Sequence, residues 1–321
     1  MPTTPSRARR WVRDRKATYF WKQGVFCVRL NQEPSDRKTQ QIAVGVDPGS
    51  KREGLTVKSE AHAFLHIMAD AVTWVSEAVT TRREMRRGRR FRKTPCRKNR
   101  ENRARGGIPP STKARWQWKL RLCRWLAKMF PVSAFVVEDI QVATKGKRKW
   151  DAMFSPLQIG KQYFYGELEK IAPVHLKQGW ETKGMRDECG LNKTGKKLAE
   201  TFNSHCVDSF VLARSYTGGS ATPDNTDLLR VVPLRFHRRQ LHRLQPEAGG
   251  IRNPYGGTRS HGFKRGSLVW NLKHGLTYIG GMLKKCVSLH SLESGKRLTQ
   301  SAKPADCRFL CFNSWRTYSP V

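Results

Sequence analysis

Short apolar runs alternate with polar segments along the first two thirds of the chain, and two of these runs end in an acidic residue. The run at 42–47 ends in Asp47 before a Pro-Gly pair, and the run at 132–138 ends in Glu138. Such runs are typical of buried strands that meet a turn or a loop. Two further strands of a meander are predicted between them, at 54–58 and 61–72.

Two helices are predicted between the first and the second acid. Residues 74–105 favour a helix, because Arg, Glu and Met are tolerated in helices, and Pro95 should end or kink it near residue 94. Ser111 predicts the N-cap of a second helix that runs to residue 131. An apolar stripe should face the core there, with basic residues such as Lys119 mostly outside.

Further elements follow the second acid. A helix is predicted at 157–171, a strand at 174–178 and a second helix at 198–216. The second helix has an apolar face and also contains His205 and Asp208. The order of strands and helices predicts an α/β fold.

The two ends of the chain have a different character. Residues 1–38 are basic and rich in aromatic residues, and they predict a short helix followed by a strand near 25–30. Residues 230–265 are basic with little periodicity, whereas 266–312 alternate in short β-like runs that suggest a small barrel-like domain.

The net charge of the chain indicates which class of molecule it binds. The chain has 321 residues, a net charge of +37 and a sequence pI of about 10.6, which favours a polyanion and first of all nucleic acid. A membrane partner is not expected, because no run of 18 apolar residues and no signal-peptide core is present. The eight cysteines form no CxxC pair, which argues against a zinc ribbon and fits a reducing cytoplasm. Cys307 and Cys311 are predicted to be small core residues.

The densest positive run lies between the first and the second acid. From Arg82 to Arg105 the chain carries 13 Arg and Lys against two acids. Such a block is usually a solvated or disordered tail. Here it is internal, interleaved with Met85 and Phe91, and flanked by predicted folded segments. We therefore interpret it as a helix that binds nucleic acid.

The three acids fall in an order that RNase H-like nucleases use. Asp47 and Glu138 each end a strand, and Asp208 lies on a later helix that faces the sheet. Taken singly, such residues are more often turn, solvent-facing or packing residues. In this order they predict a carboxylate site for two Mg²⁺ ions, with Mn²⁺ as a substitute. His205 shares a helix face with Asp208 and could orient or deprotonate the attacking water.

A glycine-rich stretch at 190–197 nearly matches a phosphate-binding P-loop. Lys197 stands where the Ser or Thr that binds Mg²⁺ belongs, and no strand precedes the stretch. We predict a basic surface turn there.

Seven short motifs form a recognisable set. They are Asp47-Pro48-Gly49-Ser50-Lys51, Arg86-Arg87-Gly88-Arg89-Arg90-Phe91-Arg92-Lys93, Pro109-Pro110-Ser111, Val137-Glu138, Gly179-Trp180-Glu181-Thr182, His205-Cys206-Val207-Asp208-Ser209 and Gly262-Phe263-Lys264-Arg265-Gly266. The set resembles the IscB/IsrB family, insertion-sequence-encoded relatives of the type II CRISPR effectors. The resemblance covers nearly the whole chain.

The resemblance implies a split RNase H-like (RuvC) nuclease core, an inserted arginine-rich bridge helix and a small β-rich C-terminal domain. It implies a monomeric protein in a ribonucleoprotein with an ωRNA guide, acting on double-stranded DNA beside a short target-adjacent motif. Asp47, Glu138 and Asp208 become metal ligands, and His205 joins them as a catalytic residue. The implied RNA-binding residues are Arg82, Arg83, Arg86, Arg87, Arg89, Arg90, Arg92, Lys93, Arg97 and Lys98, and the DNA-binding candidates are Arg259, Lys264, Arg265 and Trp270.

The spacing of the acids points to one branch of the family. IscB carries an HNH nuclease between its second and third RuvC segments, but only 69 residues separate Glu138 from Asp208. The chain therefore looks like IsrB, which implies nicking of the non-target strand. The expected divisions are a shortened PLMP-like segment at 1–38, RuvC segment I at 40–73, the bridge helix at 74–106, RuvC segments II and III at 107–220, an RNA-contacting region at 221–258 and a motif-interacting domain at 259–321.

Two other functions remain open from the sequence. One is a stand-alone endonuclease that selects branched DNA of the Holliday-junction type, since a fold alone does not fix its substrate. The other is a non-catalytic, transposon-associated RNA-binding protein.

Overall fold

The computed structural model describes residues 3–33, 39–93, 107–139, 156–235, 244–245, 250–251, 259–283 and 285–320. The chain forms two compact units. One comprises Lys38–Leu229, and the other combines Pro2–Arg37 with Arg230–Ser319. Among the described residues, no helix is both long and apolar enough to cross a bilayer.

The helices and strands have the following bounds. The helices are α1 (Pro5–Arg13), α2 (Trp74–Phe91), α3 (Pro110–Ala127), α4 (Pro156–Glu169), α5 (Gly179–Glu188), α6 (Phe202–His205) and α7 (Val207–Thr217). The strands are β1 (Ala17–Lys22), β2 (Val25–Leu30), β3 (Ile42–Asp47), β4 (Arg52–Ser59), β5 (Ala63–Asp70), β6 (Ala134–Asp139), β7 (Val174–Gln178), β8 (Leu228–Pro233), β9 (Leu244–Gln245), β10 (Gly250–Ile251), β11 (Arg259–Ser260), β12 (Phe263–Lys264), β13 (Ser267–Asn271), β14 (Gly275–Leu283), β15 (Cys286–His290), β16 (Arg297–Ala302), β17 (Cys307–Phe312) and β18 (Trp315–Tyr318).

The first unit is built on a mixed sheet with the strand order β5-β4-β3-β6-β7. The first three strands form an antiparallel meander, and β6 and β7 continue the sheet in parallel with β3. A meander followed by parallel strands on the other side of the first strand is the topology of the RNase H-like fold. The predicted α/β class with an RNase H-like core is therefore confirmed.

Helix α7 lies very close to one face of this sheet, and two glycines permit the approach. A Cβ atom at Gly45 would lie 1.9 Å from the carbonyl oxygen of Ser209. A Cβ atom at Gly54 would lie 2.0 Å from the carbonyl oxygen of His205. Any side chain at either position would push the helix away. Gly45 therefore lets α7, and Gly54 the end of α6, lie directly against β3 and β4.

The predicted helix at 198–216 is corrected by the structure. It begins only at Phe202 and is interrupted at Cys206, whose φ of −117° and ψ of −2° depart from helical geometry. His205 ends α6 and Asp208 lies in the first turn of α7. The prediction that one helix carries both His205 and Asp208 was therefore wrong.

Helix α3 differs from its prediction in two respects. It begins at Pro110 with Pro109 as N-cap, two residues before the predicted cap Ser111, because proline is pre-organised for the first helical position. Lys119, expected on the outer face, is buried among the tryptophans of the helix. The segment 94–106, with Pro95, lies outside the described residues.

The second unit is mainly β-structure. An antiparallel sheet in the order β16-β15-β14-β13-β17 encloses a core of Val269, Ile279, Val287 and Leu289. The hairpin β1–β2 belongs to the same unit, and Asn313 Nδ2 donates to the carbonyl of Gln23 at 2.8 Å. The predicted β-rich C-terminal region is confirmed. Cys307 and Cys311 are buried, as expected of core residues.

Candidate metal centre

Two neighbouring parallel strands bring the first two acids together. Val46 of β3 pairs with Val137 of β6, so the next residues, Asp47 and Glu138, lie side by side at the carboxyl ends of both strands. Side chains alternate across a strand, which places both carboxylates on the face that α7 covers. This edge of the sheet is where an RNase H-like fold can assemble a site.

Helix α7 supplies the third acid. Asp208 lies in its first turn, next to Ser209, whose carbonyl lies against Gly45. One carboxylate oxygen from each of Asp47, Glu138 and Asp208 lies within 4.8 Å of the others. The structure thus brings together the three acids that the sequence placed in order.

The three carboxylates concentrate negative charge at a site that is partly shielded from solvent. Burial raises the pKa of Asp47, the Lys193 ammonium lowers it, and the Asp208 carboxylate raises it further. Burial and the neighbouring Asp47 raise the pKa of Glu138 to about 7. Both shifts have the cause expected when like charges share a low-dielectric site. A cation between the carboxylates would relieve this repulsion.

Two basic residues that sequence reasoning missed contact the cluster. Nη1 of Arg186, on α5, lies 2.8 Å from Oδ1 of Asp208. Nζ of Lys193 lies 3.4 Å from Oδ2 of Asp47 and also forms an ion pair with Oδ2 of Asp208. Lys193 belongs to the P-loop-like stretch, which was predicted to be a surface turn. That prediction missed its role, because nothing local distinguishes Lys193 from Lys196.

His205 lies beside the cluster rather than in it. Its Nε2 is 2.9 Å from the carbonyl oxygen of Ala199 and 3.2 Å from Nη1 of Arg52. Burial lowers the pKa of His205, and the charges of Arg52 and Lys193 lower it further. Among the described residues, the group of side chains that could together bind a metal consists of the three acids and does not include His205.

A separate network fixes the end of β6. Asp139 points to the face opposite Glu138, where it accepts hydrogen bonds from Lys161 Nζ at 2.6 Å and Tyr165 at 2.9 Å. Gln178 Nε2 donates to its other oxygen at 3.2 Å. Burial alone would raise the pKa of Asp139, but these hydrogen bonds lower it. Held from the other face, the strand end presents Glu138 in one position.

The arginine-rich segment forms α2 in the same unit. No residue of this helix is buried. Among the described residues, none of the salt bridges involves an arginine of the helix. The predicted RNA-binding residues Arg82, Arg83, Arg86, Arg87, Arg89 and Arg90 lie on α2, Arg92 and Lys93 follow it, and Arg97 and Lys98 lie outside the described residues.

The four DNA-binding candidates lie in the second unit. Arg259 pairs with Lys264 across the β11–β12 hairpin, and Nζ of Lys264 lies 5.1 Å from the ring centre of Phe312. Arg265 follows this hairpin. Trp270, on β13, is 47% exposed. These side chains combine positive charge with an accessible aromatic surface.

Residues 1–149 match the family model described as RRXRR protein. The matched part contains Arg86-Arg87-Gly88-Arg89-Arg90, which has the arginine pattern of that description. No curated protein matches the sequence.

Three solved structures are similar to part of the chain. Thermus thermophilus RuvC in complex with a Holliday junction substrate shows 13% identity and a TM-score of 0.32, over 56% of this chain and 98% of that chain. A second Thermus thermophilus RuvC structure shows 12% identity and a TM-score of 0.27, over 54% and 91%. The yeast mitochondrial Holliday junction resolvase Ydc2 shows 11% identity and a TM-score of 0.29, over 57% and 80%.

The chemistry of the donor set fits a hard divalent cation. Asp47, Glu138 and Asp208 offer carboxylate oxygens, the ligands that Mg²⁺ and Mn²⁺ prefer over softer metals. Burial and the neighbouring carboxylates raise the pKa values of Asp47 and Glu138 even though the Lys193 ammonium lowers them, so further positive charge at the cluster would be favourable. The arrangement can therefore hold metal at the edge of the sheet.

Proposed function

We propose that this protein is an RNA-guided, metal-dependent DNA endonuclease that nicks the non-target strand of double-stranded DNA. The observation that carries the proposal is the meeting of Asp47, Glu138 and Asp208 at one edge of an RNase H-like sheet. The same unit carries the exposed arginines of α2. A carboxylate cluster of this kind favours divalent cations, and a row of guanidinium groups favours phosphates.

In this proposal the three acids hold two Mg²⁺ ions, for which Mn²⁺ can substitute. When bound, such cations would supply activation of a water molecule and stabilisation of the leaving oxygen of a phosphodiester. The chain's own residues hold the ligands in place. Arg186 fixes Oδ1 of Asp208, and the hydrogen bonds to Asp139 fix the strand end that carries Glu138.

His205 is the proposed proton acceptor. Its lowered pKa keeps the imidazole neutral at physiological pH, which is the form that can take a proton from water. The role requires the ring to turn from the carbonyl of Ala199 toward the substrate.

Nicking, rather than cutting of both strands, is supported by the number of candidate centres. Within the described ranges, Asp47, Glu138 and Asp208 form the one group of three or more metal-ligating side chains. One centre cuts one strand in each binding event. In this proposal α2 grips an ωRNA guide, and Arg259, Lys264, Arg265 and Trp270 contact the target-adjacent motif of the DNA.

The test uses a supercoiled plasmid that contains the target, the purified protein and its reconstituted RNA. Nicked circles should form with Mg²⁺ and should disappear with Asp47→Asn or with an RNA whose guide does not match. Linear product in quantity would contradict the single centre. Cleavage of branched DNA without RNA would instead support a stand-alone resolvase, and RNA binding without any cleavage would support a non-catalytic protein.

A further inference from the structure

Lys193 occupies the position in the carboxylate cluster where a cation is needed. Arg186 forms an ion pair with Oδ1 of Asp208, so the other oxygen of that carboxylate, Oδ2, is not held by Arg186. Lys193 forms an ion pair with that Oδ2 and lies 3.4 Å from Oδ2 of Asp47. A divalent cation shared by Asp47 and Asp208 would compete for the same oxygens.

The backbone around Lys193 is held by hydrogen bonds, whereas its side chain is partly exposed and can move from the cluster into solvent. The loop is fixed on both sides of the lysine, since Leu191 N donates to the carbonyl of Arg186 at 3.1 Å and Thr194 N to that of Asn203 at 3.0 Å. The Lys193 side chain remains 34% exposed, against 19% for Arg186. A lysine is a point charge on a flexible stem, so its ammonium can leave without a change of the fold.

Arg186 and Lys193 should therefore respond differently when divalent cations bind. Arg186 projects from a regular helix and contacts Oδ1 of Asp208, whereas Lys193 contacts Oδ2. It can remain when cations bind. Lys193 bridges the two carboxylates and cannot remain, because its ammonium and a divalent cation would repel each other at the same oxygens.

We propose that Lys193 is a resident counter-cation of the metal-free cluster, which divalent cations displace when they bind. The inference rests on the proposed function, because it takes the three acids to be metal ligands. In the absence of metal, the Lys193 ammonium offsets the repulsion between the carboxylates of Asp47 and Asp208. It also sets the affinity for metal, since every binding event must break its ion pairs.

The first test compares Mn²⁺ binding by the full chain, without nucleic acid, from the electron paramagnetic resonance signal of free Mn²⁺. Lys193→Met should lower the Kd by about tenfold, because a competing charge close to the ligands is removed from a partly exposed site. Lys196→Met, on the same loop, is the matched control and should change the Kd by less than about twofold. Lys193→Arg keeps the charge and should not show the tenfold gain.

Equal effects of Lys193→Met and Lys196→Met would mean that only net charge matters, and this would overturn the inference while leaving the proposed function intact. If the wild-type chain binds no Mn²⁺, the proposed function fails and the inference with it.

A second test needs no substitution and so does not depend on whether a variant folds. Amine labelling followed by mass spectrometry should find Lys193 protected in EDTA and more reactive, by about threefold or more, when MnCl₂ saturates the site. Lys196 should label equally in both conditions. Labelling of Lys193 that does not respond to Mn²⁺, in a chain that binds Mn²⁺, would overturn the inference.

Discussion

Nζ of Lys119 lies 2.7 Å from Oε1 of Glu53, and the two side chains are only 5% and 1% exposed. The ring centre of Trp116 lies 4.8 Å from the same ammonium. Burial raises the pKa of Glu53 to about 7, although Lys119 lowers it. The pair links α3 to β4, on the face of the sheet opposite the carboxylate cluster. Its two charges are tolerated there because each one compensates the other.

Breaking this pair on one side should destabilise the protein strongly. Lys119→Met leaves a buried carboxylate without its partner, which we expect to cost about 3–5 kcal/mol of unfolding free energy. The double variant Glu53→Leu with Lys119→Met should recover most of that loss, because no charge is left to desolvate. Urea denaturation of the wild type, both single variants and the double variant measures the coupling. Additive losses would contradict a compensated pair.

The same pair predicts how stability depends on pH. The folded pKa of Glu53, about 7, lies above its unfolded value of 4.5, so the folded state binds this proton more tightly. The contribution to the unfolding free energy is present below pH 4.5 and is lost as the pH rises to about 7. The change is about 3 kcal/mol. Relative to the double variant, the wild type should lose stability over this range. A constant difference would show that Glu53 titrates normally.

Adjacent acids on β6 should respond in opposite ways. Glu138→Gln removes a repelled charge, so we expect the metal-free melting temperature to rise by about 2–4 °C and Mg²⁺ to stop stabilising the chain. Asp139→Asn removes the acceptor of charge-assisted hydrogen bonds from Lys161 and Tyr165. It should cost about 1.5–3 kcal/mol and leave Mg²⁺ stabilisation in place. Thermal scans with EDTA and with MgCl₂ check both changes. Equal behaviour of the two variants would remove the distinction between ligand and support.

The parts of the site that could be predicted from sequence are those with a local signature. Asp47 and Glu138 end apolar runs that are long enough to be buried strands. Asp208 required only a helix after the second strand. Each of these inferences depends on residues close to one another in the chain.

The parts that were missed depend on contacts between distant segments. Lys193 meets an acid 146 residues away, and no pattern in its own loop indicates this. Lys119 looks like an outward lysine until Glu53 is placed opposite it by the fold. The interruption at Cys206 lies next to a contact with the sheet, where the carbonyl of His205 lies against Gly54. Helical propensity alone carries no information on that contact.

His66 gives a second pH dependence, with the opposite sign. It is fully buried on β5, where its Nδ1 lies 3.0 Å from the Thr56 hydroxyl and its Nε2 lies 3.1 Å from the carbonyl oxygen of Asn225. Burial lowers the pKa of His66 to about 4. The unfolded chain takes up a proton near pH 6.5 and the folded one does not. Stability should therefore fall as the pH drops from 6.5 to 4, by about 3 kcal/mol from this residue.

The variant His66→Gln tests this contribution, because glutamine keeps a donor and an acceptor but does not titrate. The variant should be less stable than the wild type at pH 7, because the substitution removes packing contacts of the imidazole ring. The difference in unfolding free energy between the two proteins should become smaller toward pH 4. Denaturant midpoints at pH 7, 5.5 and 4 measure the trend. A gap that stays the same over this range would mean that His66 has the same pKa in the folded and the unfolded chain.

The arginines of α2 should matter for binding far more than for folding. Changing Arg86, Arg87, Arg89 and Arg90 to Ala removes no buried side chain, and alanine favours a helix at least as well as arginine. We therefore expect a stability change within about 0.5 kcal/mol for each position. RNA affinity should fall, and its dependence on salt should become weaker by about 0.7 in log–log slope for each lost phosphate contact.

The same four positions changed to Lys provide the matched control, since they keep the charge while removing the planar guanidinium. This variant should keep most of the salt slope. If it also keeps the affinity, the helix binds through charge alone; if affinity falls while the slope stays, the guanidinium geometry contributes. Filter binding at several KCl concentrations separates these results. An alanine variant with an unchanged slope would show that α2 does not contact the RNA backbone, and the positive run would then be only a surface charge.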